Sequence, residues 1–240
     1  MEEGVFGLSK KQKYYIYLTL LMPCLLPFII MQIYKDGLFT LTITQLAYLI
    51  LPYIYVKYVS KEKEIQIFFL GEFNNRLQQI KYGITLAITL FLIIIFYYIL
   101  LYEFKVIQKQ LQVPLKISFF YLLSFSIVFV CVNPVMEELF WRLFLEKMFK
   151  DDKKYIVHIF YTIFHFIALC QFMSWTLSIL FATTFYSIAR TFSYVMHNKG
   201  LLASIIGHIS LAFGSLFAIL DILYIEWEHQ MDVIHQSSRP

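Results

Sequence analysis

Apolar residues run along this chain in long unbroken stretches, divided by short charged segments. Stretches without a charge extend over Tyr14–Tyr34, Leu38–Val56, Tyr82–Tyr102, Ile117–Met136, Tyr155–Met173 and Leu201–Leu220, and one more, Trp175–Met196, holds a single charge, Arg190. Each comes close to the ~20 residues that cross roughly 30 Å of hydrocarbon as a helix. The strands of a membrane barrel would alternate apolar and polar positions, and these stretches do not. The pattern predicts an all-α fold, a polytopic membrane helix bundle of about seven transmembrane helices. The first stretch is expected to remain as an anchor. It is too long for a signal-peptide core, no small-residue cleavage site follows it, and an acidic start, Met1-Glu2-Glu3, precedes it.

The polar connectors add two features. Between Lys57 and Lys81, the residues Phe69, Phe73, Leu77 and Ile80 recur at near-helical spacing, which predicts an amphipathic helix lying in the membrane interface. The segment Leu111-Gln112-Val113-Pro114 is expected to divide the chain in two. Residues 1–115 would form a three-helix membrane unit with its interfacial segment, and residues 116–240 a four-helix core that carries the polar residues of interest.

Composition supports the membrane reading. Of the 240 residues, 60% are hydrophobic and 15% charged, with mean hydropathy +0.67, whereas a soluble domain carries about 25% charged residues. With the amino terminus inside, thirteen Lys and Arg fall on that side and five on the other. That asymmetry predicts an amino terminus on the cytoplasmic side, or the matrix side of an inner mitochondrial membrane. The formal charge of +4 is spread over many loops with no nucleic-acid-binding signature, so nucleic acid is excluded as a partner and membrane lipid is the expected one. Cys24, Cys131 and Cys170 lie within apolar stretches at no ligand or disulfide spacing and are read as small buried residues.

The chemistry concentrates in one segment, Asn133-Pro134-Val135-Met136-Glu137-Glu138-Leu139-Phe140-Trp141-Arg142. An isolated charge in a membrane helix costs about 2.5–3.5 kcal/mol on insertion scales, so such groups are retained for a purpose. Glu138 and Arg142, spaced i, i+4, are expected to pair along one face, leaving Glu137 turned about 100° away. His165 lies about 15 Å and His208 about 10 Å along their helices from the cytoplasmic ends, and Glu137 about 18 Å back from a helix end near Phe149. Three helices thus bring one carboxylate and two imidazoles to a common depth. That set allows general-base activation of water, a metal site of Glu-His-His type without an HExxH pattern, or a proton relay. His158 is a weaker candidate near the interface, and His197, His229 and His235 are read as solvated.

Pro134-x-x-Glu137-Glu138-x-x-x-Arg142, then an aromatic-x-x-x-His ending at His165, then a later helix with His208, resembles the CAAX prenyl endopeptidase and bacteriocin-processing family, the type II CAAX proteases, over roughly residues 116 to 215. The resemblance implies an intramembrane glutamate endopeptidase with no metal and no cofactor. Glu137 and His165 would activate water and His208 would bind the oxyanion, together with an Asn one turn later. Glu138 and Arg142 would be structural, and the implied substrates are peptides with prenylated carboxyl termini. Three positions depart from the family pattern. Tyr161 stands for Phe, Leu143 for a frequent Gly, and Ala212 for the Asn, which removes an expected oxyanion donor. Asn133, one turn before Glu137, is a substitute donor to consider. A degenerate relative, serving as a scaffold or a subunit of a larger membrane complex, is the rival expectation.

Overall fold

The structure is a computed structural model that describes residues 10–34, 36–60, 75–103, 118–149, 153–170, 175–217 and 220. Among the described residues there are seven helices and no strand. They are α1 (Lys10–Tyr34), α2 (Gly37–Ile54, continuing as wide π-helical turns over Tyr55–Ser60), α3 (Arg76–Glu103), α4 (Phe119–Ile127 through to Glu146–Met148), α5 (Tyr155–Leu169), α6 (Trp175–Lys199) and α7 (Leu201–Phe217). Four of them are long and apolar enough to cross a membrane: α1, α2, α3 and α4; α5 and α7 are apolar but shorter. Their outer faces carry the large apolar side chains that lipid requires. On α3, Ile88, Leu92 and Phe96 are all more than half exposed, a surface that water would not tolerate as a contiguous band. The chain is an integral membrane protein.

Prolines shape two of the helices that hold the site. Pro52 cannot donate to the α2 ladder, and the helix beyond it opens into the wide turns of Tyr55–Ser60. In α4, Pro134 is preceded by π-helical turns over Val128–Val132, in which the Asn133 N–H reaches back to the Val128 carbonyl. This extra residue in the turn relieves the clash between the proline ring and the preceding carbonyls, so α4 continues where a regular helix would kink. A second π-helical run, Glu138–Leu145, carries α4 past the apolar stretch that ends at Met136 and on to Met148, next to the helix end expected near Phe149.

Buried aromatic rings join α1, α2, α4 and α5. Tyr48 of α2 stacks on Phe140 with ring centroids 4.5 Å apart, and Trp141 meets Tyr161 of α5 edge-on at 5.5 Å. Such pairs contribute about 0.5–1.5 kcal/mol each beyond their burial. Cys24 of α1 reaches the Phe160 carbonyl of α5 at 3.6 Å. A smaller cluster of Leu90, Phe192 and Leu211 ties α3 to α6 and α7. Of the three cysteines expected to be buried, Cys24 is; Cys131 is exposed and Cys170 half-buried. The proposed division near Leu111–Pro114 falls outside the described residues, as do Phe69 and Phe73 of the expected interfacial helix and His229 and His235.

The α6–α7 turn is closed by Gly200, whose φ is +102° and whose N–H bonds the Met196 carbonyl at 3.1 Å. A Cβ there would meet the Gln79 side chain at 2.3 Å. Gln79 in turn accepts from the Leu202 N–H, so the tightness of this turn couples α3 to the start of α7. Gly200→Ala is expected to cost about 1–2 kcal/mol from the left-handed backbone alone, read as a lowered melting temperature in detergent.

Candidate active site

Glu137 is built into place from α2. Its Oε1 accepts a 2.7 Å hydrogen bond from Asn133 Nδ2, and the Asn133 carbonyl oxygen accepts from Gln45 Nε2 of α2. Because a carboxylate only accepts, Asn133 must present its amide nitrogen to Glu137 and its oxygen to Gln45. Asn133 is therefore engaged with Glu137, which answers the suggestion that it serves as a free oxyanion donor. The other oxygen, Glu137 Oε2, is buried with no hydrogen-bond partner among the described residues. Two imidazole nitrogens face it, His165 Nε2 at 3.8 Å and His208 Nε2 at 3.6 Å. The fold thus brings Glu137, His165 and His208 together at one point.

The partners of the two rings set their tautomers. His165 Nδ1 lies 2.9 Å from the Tyr161 carbonyl, which can only accept, so Nδ1 carries a proton and a neutral ring presents its Nε2 lone pair to Glu137. Phe185 stacks on this ring at 4.2 Å and fixes its plane. His208 Nδ1 lies 2.9 Å from Glu138 Oε1, and Ser204 donates to Glu138 Oε2, so both oxygens of Glu138 are occupied from α7. Phe192 stacks on the His208 ring at 4.9 Å.

That occupation corrects the expected Glu138–Arg142 pair. Glu138 has both oxygens committed to His208 and Ser204. Arg142 Nη1 lies instead 3.4 Å from Oε1 of Glu146, the carboxylate one turn further along α4. The Arg142 guanidinium also covers the Tyr161 ring, 4.6 Å from its centroid. Glu146 is completely buried, accepts a 2.6 Å hydrogen bond from Ser193 of α6, and lies 3.3 Å from His158 Nε2 of α5. His158 is thus buried against a carboxylate. His197, read as solvated, sits in the last turn of α6, with Nδ1 on the Ser193 carbonyl and Nε2 2.8 Å from Lys154 Nζ.

Gln45, Ser204 and Glu146 all serve this constellation without having been singled out in the sequence. For Gln45 a signal existed, since it is the one amide in the apolar stretch Leu38–Val56. Beside the site, between α2 and α4, lies an apolar pocket of about 400 Å³ whose lining includes Tyr48, Leu49, Pro52, Met136, Leu139 and Leu143. Among the described residues no group of three His, Cys, Asp or Glu side chains has the arrangement of a metal site.

Residues 119–214 match the family model described as type II CAAX prenyl endopeptidase Rce1-like. This segment is similar to that family over 96 of the chain's 240 residues. The Rce1-like segment runs from the start of α4 into α7, and so contains the Glu-Glu-x-x-x-Arg run, His165 and His208. No curated protein and no solved structure matches the chain. Gln45 and Tyr48 lie outside the Rce1-like segment, yet both pack against α4 within it.

Proposed function

We propose that this chain is an intramembrane glutamate endopeptidase of the CAAX-processing type, with Glu137 and His165 activating water and His208 stabilising the oxyanion. The observation that carries the reading is the convergence of His165 Nε2 and His208 Nε2 on the unpartnered Oε2 of Glu137, at 3.8 and 3.6 Å. Those separations exceed direct hydrogen bonds, and a water admitted between the three atoms as substrate binds would bridge them. Glu137, held by Asn133, and His165, held in its Nδ1–H tautomer, then take the water proton as its oxygen adds to the scissile carbonyl. His208 donates from Nε2 as an imidazolium, with the Glu138 carboxylate on Nδ1 as its counter-ion, and the abstracted proton passes to the leaving amine. Water and peptide thereby give a carboxylic acid and an amine.

Peptides with prenylated carboxyl termini are the proposed substrates. The family match supports this, and so does an apolar pocket against the α4 face next to Glu137. The test is cleavage of a fluorogenic farnesylated peptide by the purified chain in nanodiscs; folded protein that leaves this peptide and its geranylgeranylated analogue intact would end the proposal. A second reading, a degenerate scaffold or a subunit of a larger membrane assembly, is favoured by one observation. Ala212, buried one turn after His208, offers no donor. Stoichiometric copurification with other subunits, together with absent cleavage, would select it.

The proposal places the amino terminus, and the opening of the site, on the cytoplasmic or matrix side. Supporting it, Lys11 of α1 bonds the Tyr58 carbonyl at the end of α2 at 3.2 Å, and Lys154 before α5 meets His197 at the end of α6, so basic residues gather at shared helix ends. Single-cysteine labelling is expected to modify positions in 61–76 and 151–154 from the cytoplasmic face and positions in the 230s from the other. Labelling of the first two segments from opposite faces would overturn this arrangement.

A further inference from the structure

Tyr161 stands one turn before His165, where the family pattern has Phe. The residue is completely buried, and its hydroxyl has no hydrogen-bond partner among the described residues. Everything else about it is engaged. Its carbonyl takes the His165 Nδ1–H, its ring lies 4.2 Å from the imidazole, Trp141 meets it edge-on, and the Arg142 guanidinium covers it. A Phe would keep every one of these contacts. The hydroxyl adds only a buried donor without an acceptor, a defect that costs about 1–3 kcal/mol in a folded protein. The ring's contact with the His165 imidazole and its cover by the Arg142 guanidinium put Tyr161 on the face of α5 that carries His165. On the opposite wall, Ala212 has lost the side-chain donor that the family pattern sets beside His208.

We propose that the Tyr161 hydroxyl is a catalytic donor to the oxyanion, taking the part of the amide missing at position 212. The inference rests on the endopeptidase reading above. As the water oxygen bonds to the scissile carbon, the carbonyl π pair moves onto its oxygen, and the water proton goes to Glu137 and His165. Tyr161 O–H and His208 Nε2–H hold the resulting O⁻. When the pair returns, the C–N bond breaks and the proton passes to the amine nitrogen, leaving Tyr161 unchanged. The guanidinium on the ring face draws electron density from the phenol and strengthens its donation. Because the hydroxyl meets no acceptor in the free protein, its bond forms only as charge develops, which lowers the barrier without tightening substrate binding.

The experiment compares wild type, Tyr161→Phe, and Tyr161→Phe combined with Ala212→Asn, as full chains in nanodiscs cleaving a fluorogenic farnesylated peptide. Tyr161→Phe is expected to lower kcat by about 10²–10³-fold with far less change in KM, and to melt no lower than wild type. Ala212→Asn in that background is expected to recover about tenfold or more by supplying the donor from α7. A peptidyl aldehyde, whose hydrate mimics the tetrahedral adduct, should bind Tyr161→Phe more weakly by a similar factor, while the matched peptidyl alcohol binds both proteins equally. Equal kcat in wild type and Tyr161→Phe would overturn the inference and leave the endopeptidase reading standing, as would a loss confined to KM. Folded wild type that cleaves nothing would remove both.

Discussion

Glu137→Gln is expected to abolish peptide cleavage, with kcat falling at least about 10²–10⁴-fold, the usual contribution of a general base. The change is nearly isosteric. A glutamine carbonyl oxygen at this position still accepts from Asn133 Nδ2, so the link back to Gln45 survives and the fold with it. What changes is the second oxygen. In its place an amide NH₂ would donate to the His165 Nε2 lone pair and oppose the His208 Nε2–H, leaving no carboxylate oxygen to accept a proton from water. Cleavage of the farnesylated peptide and a melting curve, measured on the same sample, separate the two effects. A Glu137→Gln protein that melts normally and cleaves at the wild-type rate would assign the base elsewhere.

Glu146→Ala is expected to have the largest effect on stability, with little that is specific to the chemistry. Arg142 is completely buried, and Glu146 is the carboxylate within ion-pair distance of it among the described residues. Removing one partner of a buried pair leaves an uncompensated charge and costs about 3–5 kcal/mol. Ser193 and His158 lose their acceptor at the same time, so α4, α5 and α6 all loosen at one point. In detergent the variant should unfold many degrees below wild type or fail to accumulate. Glu146→Gln, which keeps an acceptor oxygen for Ser193, should fall between. An Ala variant with an unchanged melting temperature would show that Arg142 finds another counter-charge.

Much of the bundle was legible because lipid imposes a simple rule: apolar stretches of spanning length must be helical, and charges among them stand out. Glu137, His165 and His208 could be singled out for that reason alone. Partner choice was less legible. Arg142 has a carboxylate at both i−4 and i+4, and spacing along one helix cannot decide between them. Ser204 and His208, arriving from α7, take up Glu138 and leave Arg142 to Glu146. Glu146 itself, within the helix expected to end near Phe149, was overlooked because it sits beside Lys147 and Lys150, where a carboxylate reads as part of the charged helix end. The wide turns that carry α4 inward to Met148 respond to proline and to packing, and hydropathy does not encode them.

The link from Gln45 through Asn133 to Glu137 begins with a bond between residues 88 positions apart in the chain, across the edge of the Rce1-like segment. The two amides therefore form one unit of variation. Gln45→Leu alone would leave the Asn133 oxygen buried without its donor, and Asn133→Ala alone would strand the Gln45 amide and free Glu137 to turn. In a collection of related sequences, positions 45 and 133 should change together. A comparison confined to the family-matching segment would see only half of that covariation, and position 133 would seem constrained for no local reason.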